Sequence, residues 1–328
     1  KPSPLVRVNM EVIVLVGGFG TRLRPWTENR AKPLLPILDK NLLERVIEVI
    51  PEDLISKVII AAGYGVEQIE EFFSKKDTSY EVIISTENEP LGTGGAVGLA
   101  SKNLTKDGPV IVLNGDLISS VDIKSLLNHH YEKEAKATLS LWEVEDPSRF
   151  GVCDLDNDGY IRRFQEKPDP GTEFSNYINA GCVIIEKEIL DNFSLERHSM
   201  ERVVFPPIAE SGQMAGLLFT GYFVDAGTPQ SYIEAVQTCI DNDRFKSGKK
   251  INQSWFADDV EKMESVKRCS IGANVSIDPS ASLTDCVVLN NAIIGKNTFL
   301  DSCLIGEGAI IKDGIVISEE VIGHRATR

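Results

Sequence analysis

The first strong pattern in the chain is a continuous apolar run, Val12-Ile13-Val14-Leu15-Val16. It is apolar at every residue, not at every second one, and so predicts a strand buried on both faces, as in a parallel sheet. Further apolar runs at 57–62, 81–86 and 109–114 alternate with helix-period stretches such as 66–76 and 122–135. That alternation predicts βαβ units and a mostly parallel sheet. Strand-like segments at 137–144, 151–155, 160–166 and 177–186 read as a mixed extension of it, and a helix over 229–245 closes the domain. The expectation is an α/β domain over 10–245, then a polar linker with a short amphipathic piece over 246–267.

The tail repeats itself every 17 residues from Cys269, Cys286 and Cys303. Ile277, Ile294 and Ile311 share one column; Leu283, Leu300 and Ile317 share a second; Ile271, Val288 and Ile305 share a third. Within a block the apolar positions are spaced 6, 6 and 5. Hexapeptide spacing predicts a β-helix of three short strands per coil, here over 268–323, with one corner tightened by the missing residue. Val275, Ala281, Ala292, Thr298 and Ala309, two residues before the large apolar columns, are expected to point inward. The three cysteines are expected to stack as buried core thiols, not as a metal or redox site.

Composition narrows the class. The chain has 328 residues, 42% hydrophobic and 25% charged, with no apolar stretch of the ~18 residues that a membrane helix needs. Residues 1–9 lack the apolar core of a secretory signal, and the opening Lys1 reads as a trimmed start. A net charge of −15 argues against a general nucleic-acid binder. Six cysteines without a C-x-x-C pair argue against zinc and a disulfide framework, and for a reducing cytoplasm.

Directly after the first apolar run comes Gly17-Gly18-Phe19-Gly20-Thr21-Arg22-Leu23-Arg24-Pro25, and then Lys32-Pro33-Leu34-Leu35-Pro36. Glycines let backbone N–H groups approach phosphate oxygens, and arginines supply fork-shaped cationic donors. No Gly-Lys-Ser/Thr follows, which excludes a P-loop, and Leu23 stands where the dinucleotide fingerprint needs glycine. The string resembles the sugar-1-phosphate nucleotidyltransferases, and among them the mannose-1-phosphate guanylyltransferases. The resemblance runs from about Val12 to Val236. It implies a Rossmann-like nucleotidyltransferase domain followed by a left-handed β-helix, and a reaction in which a sugar 1-phosphate attacks the α-phosphorus of a nucleoside triphosphate.

The same resemblance assigns roles. Arg22, Lys32, Asp116 and Lys167 would carry the chemistry, with Lys167 neutralising the sugar phosphate. Asp116, after the run 110–115, and Asp225, in Gly221–Pro229, would hold Mg²⁺ between them. Val16, Gly17, Gly18, Gly20, Thr21, Glu87, Pro90, Gly92 and Thr93 would bind the nucleotide. In Glu87–Gly95, where the family pattern carries alanine at Gly94, Glu87 can accept both N1–H and the amino group of guanine, and would repel the carbonyls of thymine or uracil. Gly151, Glu166 and Asn179 would meet the sugar, and Ser199–Pro207 reads as a structural helix. His129 and His130 read as solvent-facing, and Trp26 as packing.

The leading expectation is therefore GTP plus mannose 1-phosphate giving GDP-mannose and pyrophosphate. Rivals that keep the reaction use glucose 1-phosphate with dTTP or UTP, or a heptose 1-phosphate. A rival of another class is a catalytically silent, nucleotide-sugar-binding regulator, which typically loses the charged residues that are present here. His324 is the tail's only histidine and lies beyond the last full repeat, which disfavours acyl transfer and favours a homo-oligomer built through the β-helix.

Overall fold

The computed structural model describes residues 9–328, so the stretch read against a secretory signal lies outside the described residues, apart from Asn9. The chain forms two compact units, one of residues up to Gly18 with Val46–Phe223, the other of Phe19–Arg45 with Val224–Arg328.

In the first unit a nine-stranded sheet runs, from one edge, Ile161–Glu166, Gly151–Leu155, Tyr177–Glu186, Pro109–Asn114, Met10–Leu15, Ile55–Ala62, Glu81–Thr86. Met10–Leu15 is central and pairs in parallel with Ile55–Ala62 and Pro109–Asn114, which is why its run is apolar throughout. Tyr177–Glu186 pairs antiparallel with Pro109–Asn114 and with Ala137–Glu143, Ile161–Glu166 pairs antiparallel with Gly151–Leu155, and Ala137–Glu143 pairs in parallel with a further strand, Met214–Leu218. The α/β expectation and the mixed, mostly parallel sheet hold. A helix over Gly92–Ala100 forms although four of its nine residues are glycine. Its buried Ala96, Val97 and Ala100 pack into the core and outweigh poor intrinsic propensity.

One reading of this unit is corrected. His130 is not solvent-facing: it is 1% exposed, with Nδ1 2.8 Å from Thr138 Oγ1 and Nε2 3.2 Å from Glu186 Oε1. It follows buried Ile123, Leu126 and Leu127 at helical spacing, on the inner face of the helix Ile123–Lys133. His129 is half-buried.

In the second unit three parallel sheets build the β-helix, with ladders such as Ser270–Ile271 to Val287–Val288, Ile277 to Ile294 and Leu283 to Leu300. Each ladder steps by the 17 residues of the sequence repeat. Ala281, Ala292, Thr298 and Ala309 are buried as expected, while Val275 and Ile277 in the first coil are half-buried. Arg268, Asp285, Ser302 and Glu319 turn one corner in the left-handed region, at φ 53, 50, 52 and 56°. Cys286 N–H lies 3.3 Å from Cys269 Sγ, so the cysteines stack. Residues 246–267 are more than a linker. Lys249–Ile251 and Ser254–Phe256 form a hairpin that extends one β-helix sheet, because Ser254, Trp255 and Phe256 are all buried against the first coil.

The segment Phe19–Arg45 packs in this same unit. Tyr232, on the helix Pro229–Asp241, donates its hydroxyl to Pro36 O, and Arg244 Nη2 donates to Arg45 O at 2.8 Å.

Candidate active site

In the first unit the site residues gather at strand ends. Val16 N–H donates to Ala61 O at 2.9 Å, so the chain leaves the sheet at Gly17 and Gly18, which are exposed. Glu87 is 8% exposed. Its Oε2 accepts Leu91 N–H at 2.8 Å, and a Cβ added to Gly17 would lie 3.1 Å from its Oε1. One carboxylate oxygen therefore fastens the Pro90 turn while the other faces the glycine loop. Gly92 is at φ +70°, and a Cβ there would lie 2.5 Å from His198 O, so only glycine can start this helix. Thr93, in its first turn, donates to Glu201 Oε2.

Asp116 is half-buried, just past Pro109–Asn114. Gly115 N–H donates to Leu15 O, which draws this turn against the end of the central strand. In the strand Tyr177–Glu186 the pairing shifts register between Asn179 and Val183, with Gly181 at φ +72°. Asn179 Oδ1 accepts Gly181 N–H at 3.0 Å, so a sugar hydroxyl bound to this amide would accept from its Nδ2.

Glu166 and Lys167 line a cavity of about 290 Å³ with Asp169, Glu201, Arg202 and Pro206. A Cβ on Gly151 would stand 3.0 Å from Glu166 Oε2 and 2.4 Å from Phe164, so glycine makes the room for the carboxylate. Burial pushes the Glu166 carboxyl up from its ordinary value. The Glu201 carboxylate adds to that rise, and Lys167 and Arg202 oppose it. Lys167 Nζ is 3.7 Å from Glu166 Oε1, and its backbone sits at φ +48°, held by a hydrogen bond from Lys167 N–H to Phe150 O. A bulky residue in that conformation is strained, as functional positions often are.

The second unit holds the rest. Gly20, at φ +62°, opens the turn Thr21–Leu23; a Cβ there would lie 2.9 Å from Thr27 Cγ2 and 3.1 Å from Lys32 Cβ. Lys32 is buried and Arg22 exposed. A Cβ on Gly227 would lie 2.6 Å from Arg22 Nη2 and 2.8 Å from Asp225 Oδ1, so this glycine lets the guanidinium and the carboxylate approach one another. Asp116 and Asp225 thus belong to different units.

Sequence reasoning passed over Glu201 and His198. Glu201 stands in the Ser199–Pro207 stretch read as structural, where an π-helical turn, Met200–Val204, precedes a short α-helix. Its carboxylate instead links Thr93 to the Glu166 cavity. His198 binds the glycine-rich helix through its backbone, and such a contact leaves no side-chain signature.

Family models match the chain over most of its length. The profile of the family described as Nucleotidyl transferase covers residues 11–242, and that described as GlmU-like, C-terminal hexapeptide covers 235–325. The chain belongs to the nucleotidyl transferase family, and its reaction is nucleotidyl transfer. Among its relatives is the mannose-1-phosphate guanylyltransferase catalytic subunit beta of Drosophila pseudoobscura pseudoobscura, 33% identical over 86% of this chain and 73% of the relative. A probable mannose-1-phosphate guanylyltransferase 3 of Oryza sativa subsp. japonica is 33% identical over 86% of this chain and 80% of its own length. The crystal structure of HddC from Yersinia pseudotuberculosis is similar at a TM-score of 0.58 and 30% identity, covering 70% of this chain and 98% of HddC. A second structure of it, complexed with GMP-PN, has a TM-score of 0.57. Nucleotidyltransferases of this family generally use a divalent metal. No helix among the described residues is long and apolar enough to cross a membrane.

Proposed function

We propose that this chain transfers guanylyl from GTP to mannose 1-phosphate, giving GDP-mannose and pyrophosphate. The observation that carries this reading is Glu87, a buried carboxylate fastened by Leu91 N–H with its second oxygen turned to the glycine loop. A carboxylate there suits the paired donors of guanine and opposes the carbonyls of uracil or thymine. The names of the relatives and the GMP-PN complex are in keeping with it.

A sugar-phosphate oxygen forms a bond to the α-phosphorus as the bond to the pyrophosphate oxygen breaks. That step needs alignment and charge neutralisation more than a base. The backbone of Gly17, Gly18, Gly20 and Thr21 would receive the triphosphate, with Arg22 and Lys32 offsetting its charge. Lys167 would hold the sugar phosphate, while Glu166, Asn179 and Gly151 would orient the hydroxyls. Among the described residues no three His, Cys, Asp or Glu side chains stand together as a metal cage. Asp116 and Asp225 offer oxygen donors alone, which suits Mg²⁺, an ion that completes its shell with phosphate and water. When bound, Mg²⁺ would neutralise phosphate charge; the two aspartates would be its protein ligands.

The β-helix is proposed to join copies of the chain. Ile293 and Ile310 lie on one of its faces and Phe299 and Val316 on another, all 40–71% exposed. Six buried free cysteines support a reducing, cytoplasmic setting. Pyrophosphate release from four nucleoside triphosphates against mannose, glucose and heptose 1-phosphates, with and without Mg²⁺, tests the reading. A Mg²⁺-dependent signal for GTP with mannose 1-phosphate is expected. Turnover confined to dTTP or UTP with glucose 1-phosphate would overturn the substrate assignment, and silence with every pair would overturn the enzyme.

A further inference from the structure

The last coil of the β-helix grips the cationic loop. Trp26 is fully buried, between Tyr232 on one side and His324 on the other. The His324 ring stacks on it at 5.8 Å between centroids and 23° between planes. Trp26 Nε1 donates to Ile322 O at 2.9 Å. Glu307 N–H donates to His324 Nδ1 at 3.0 Å, which leaves the ring proton on Nε2, and Nε2 donates to Trp26 O at 3.2 Å. Arg30 pairs with Glu307, and a Cβ added to Gly323 would touch the Pro25 ring at 3.2 Å. From Trp26 the contacts pass inward. Its neighbour Thr27 donates to Gly20 O at 2.8 Å, and Gly20 abuts Lys32 Cβ.

We infer that His324 is a positioning residue for nucleotidyl transfer, holding through Trp26 the loop that carries Gly20, Arg22 and Lys32. The inference rests on the reading of that loop as the triphosphate site. The β-helix then does more than join subunits, since its final turn sets where the loop's cations stand. Loop segments anchored only by their own turns sample many positions, and ångström-scale misplacement of charge costs rate steeply. The contact is also sensitive to protonation. An imidazolium could not accept Glu307 N–H. The charged groups facing the ring are Arg30 from the loop and Glu307 and Arg325 from the coils. Burial first, then Arg30, hold His324 below its ordinary value, so the neutral ring is kept at neutral pH.

The test compares wild type with H324A and H324Q in kcat and KM for GTP from pH 5.5 to 8, alongside thermal unfolding and size by light scattering. Glutamine retains a donor for Trp26 O. H324A is expected to lose ten- to hundredfold in kcat/KM at unchanged size and at temperatures where thermal unfolding shows it fully folded. H324Q should recover most of that loss, and it should lack an acid-side fall in rate that the wild type shows. Wild-type kcat/KM in H324A overturns the inference. So does a loss that tracks unfolding, or one that H324Q does not relieve, since either marks a merely structural contact. If wild type releases no pyrophosphate with any substrate pair, the nucleotidyl-transfer reading fails, and GTP affinity by calorimetry decides the positioning role. Tenfold weaker binding to H324A supports it; equal binding, or none to either chain, overturns it.

Discussion

Thr93 and Glu201 lie 108 residues apart in sequence and share a 2.5 Å hydrogen bond from the threonine hydroxyl to Oε2. The same hydroxyl accepts Met200 N–H at 2.9 Å, and Ser199 Oγ donates to Glu201 Oε2 at 2.7 Å. The first turn of the glycine-rich helix is thereby tied to the carboxylate that faces Glu166. T93V keeps the side-chain shape and removes the hydroxyl, leaving Met200 N–H without its acceptor. We expect a loss of about 1–2 kcal/mol in urea unfolding, with T93S within about 0.5 kcal/mol of wild type. Equal stability of the two variants would show that the bond contributes nothing.

Gly94 and His198 are coupled through space that a methyl group would fill. A Cβ on Gly94 would lie 2.3 Å from the His198 Cδ2 and Nε2 atoms. The ring is tethered: His198 N–H donates to Leu91 O, its carbonyl accepts Gly94 N–H, and its Nδ1 lies 2.9 Å from Glu196 O. In a helix alanine is favoured over glycine by about 0.8–1 kcal/mol. G94A should therefore stabilise an H198A chain by about that much, and in the wild-type background should gain nothing or cost about 1–3 kcal/mol. A double-mutant cycle measures the difference, and strict additivity would show that the ring moves aside freely.

Much of this was legible in the sequence, and for identifiable reasons. The run Val12–Val16 announced a central strand because burial on both faces leaves no polar position, and the 17-residue columns announced the coils because each ladder repeats one register. What escaped were relations between distant segments. Nothing in Trp26 or His324 marks them as partners 298 residues apart, and Phe19–Arg45 packs with the tail for reasons that no local period encodes. His130 escaped because one polar residue on an amphipathic helix reads as outward until its neighbours are known. Of the candidate site, the glycines were visible as turns. The reason for several of them, room for Glu166, for Arg22 or for His198, lies in side chains distant in sequence.

Gly227 separates Arg22 Nη2 from Asp225 Oδ1 with no side chain of its own. Its backbone is not in the left-handed region, so alanine is allowed there by conformation and excluded by its neighbours. G227A should keep its unfolding free energy within about 1 kcal/mol of wild type, because the guanidinium is exposed and can retreat. That retreat displaces a group proposed to meet phosphate, and kcat/KM should fall about a hundredfold. Wild-type kcat/KM in G227A would show that the placement of the Arg22 guanidinium does not matter to the reaction.

His130 gives the fold a pH dependence whose sign can be worked out. Burial is the largest influence and lowers its value below the ordinary 6.5; Glu186 pulls upward and His129 adds to the lowering. As pH falls through about 6.5 the unfolded chain takes up a proton that the folded chain refuses. The unfolded state then binds more protons, so stability falls with pH, by at most about 1.4 kcal/mol per pH unit for one such group. Above pH 7 both states carry neutral His130 and the effect vanishes. H130N removes the titration, while the carboxylates that protonate at lower pH remain common to both chains. Urea unfolding at pH 7.5, 6.5 and 5.5 should therefore show the stability gap between wild type and H130N constant at the upper end and narrowing below 6.5. A gap that stays constant throughout would mean that the imidazole titrates alike in both states, and that its contacts with Thr138 and Glu186 offset the cost of burying its charge.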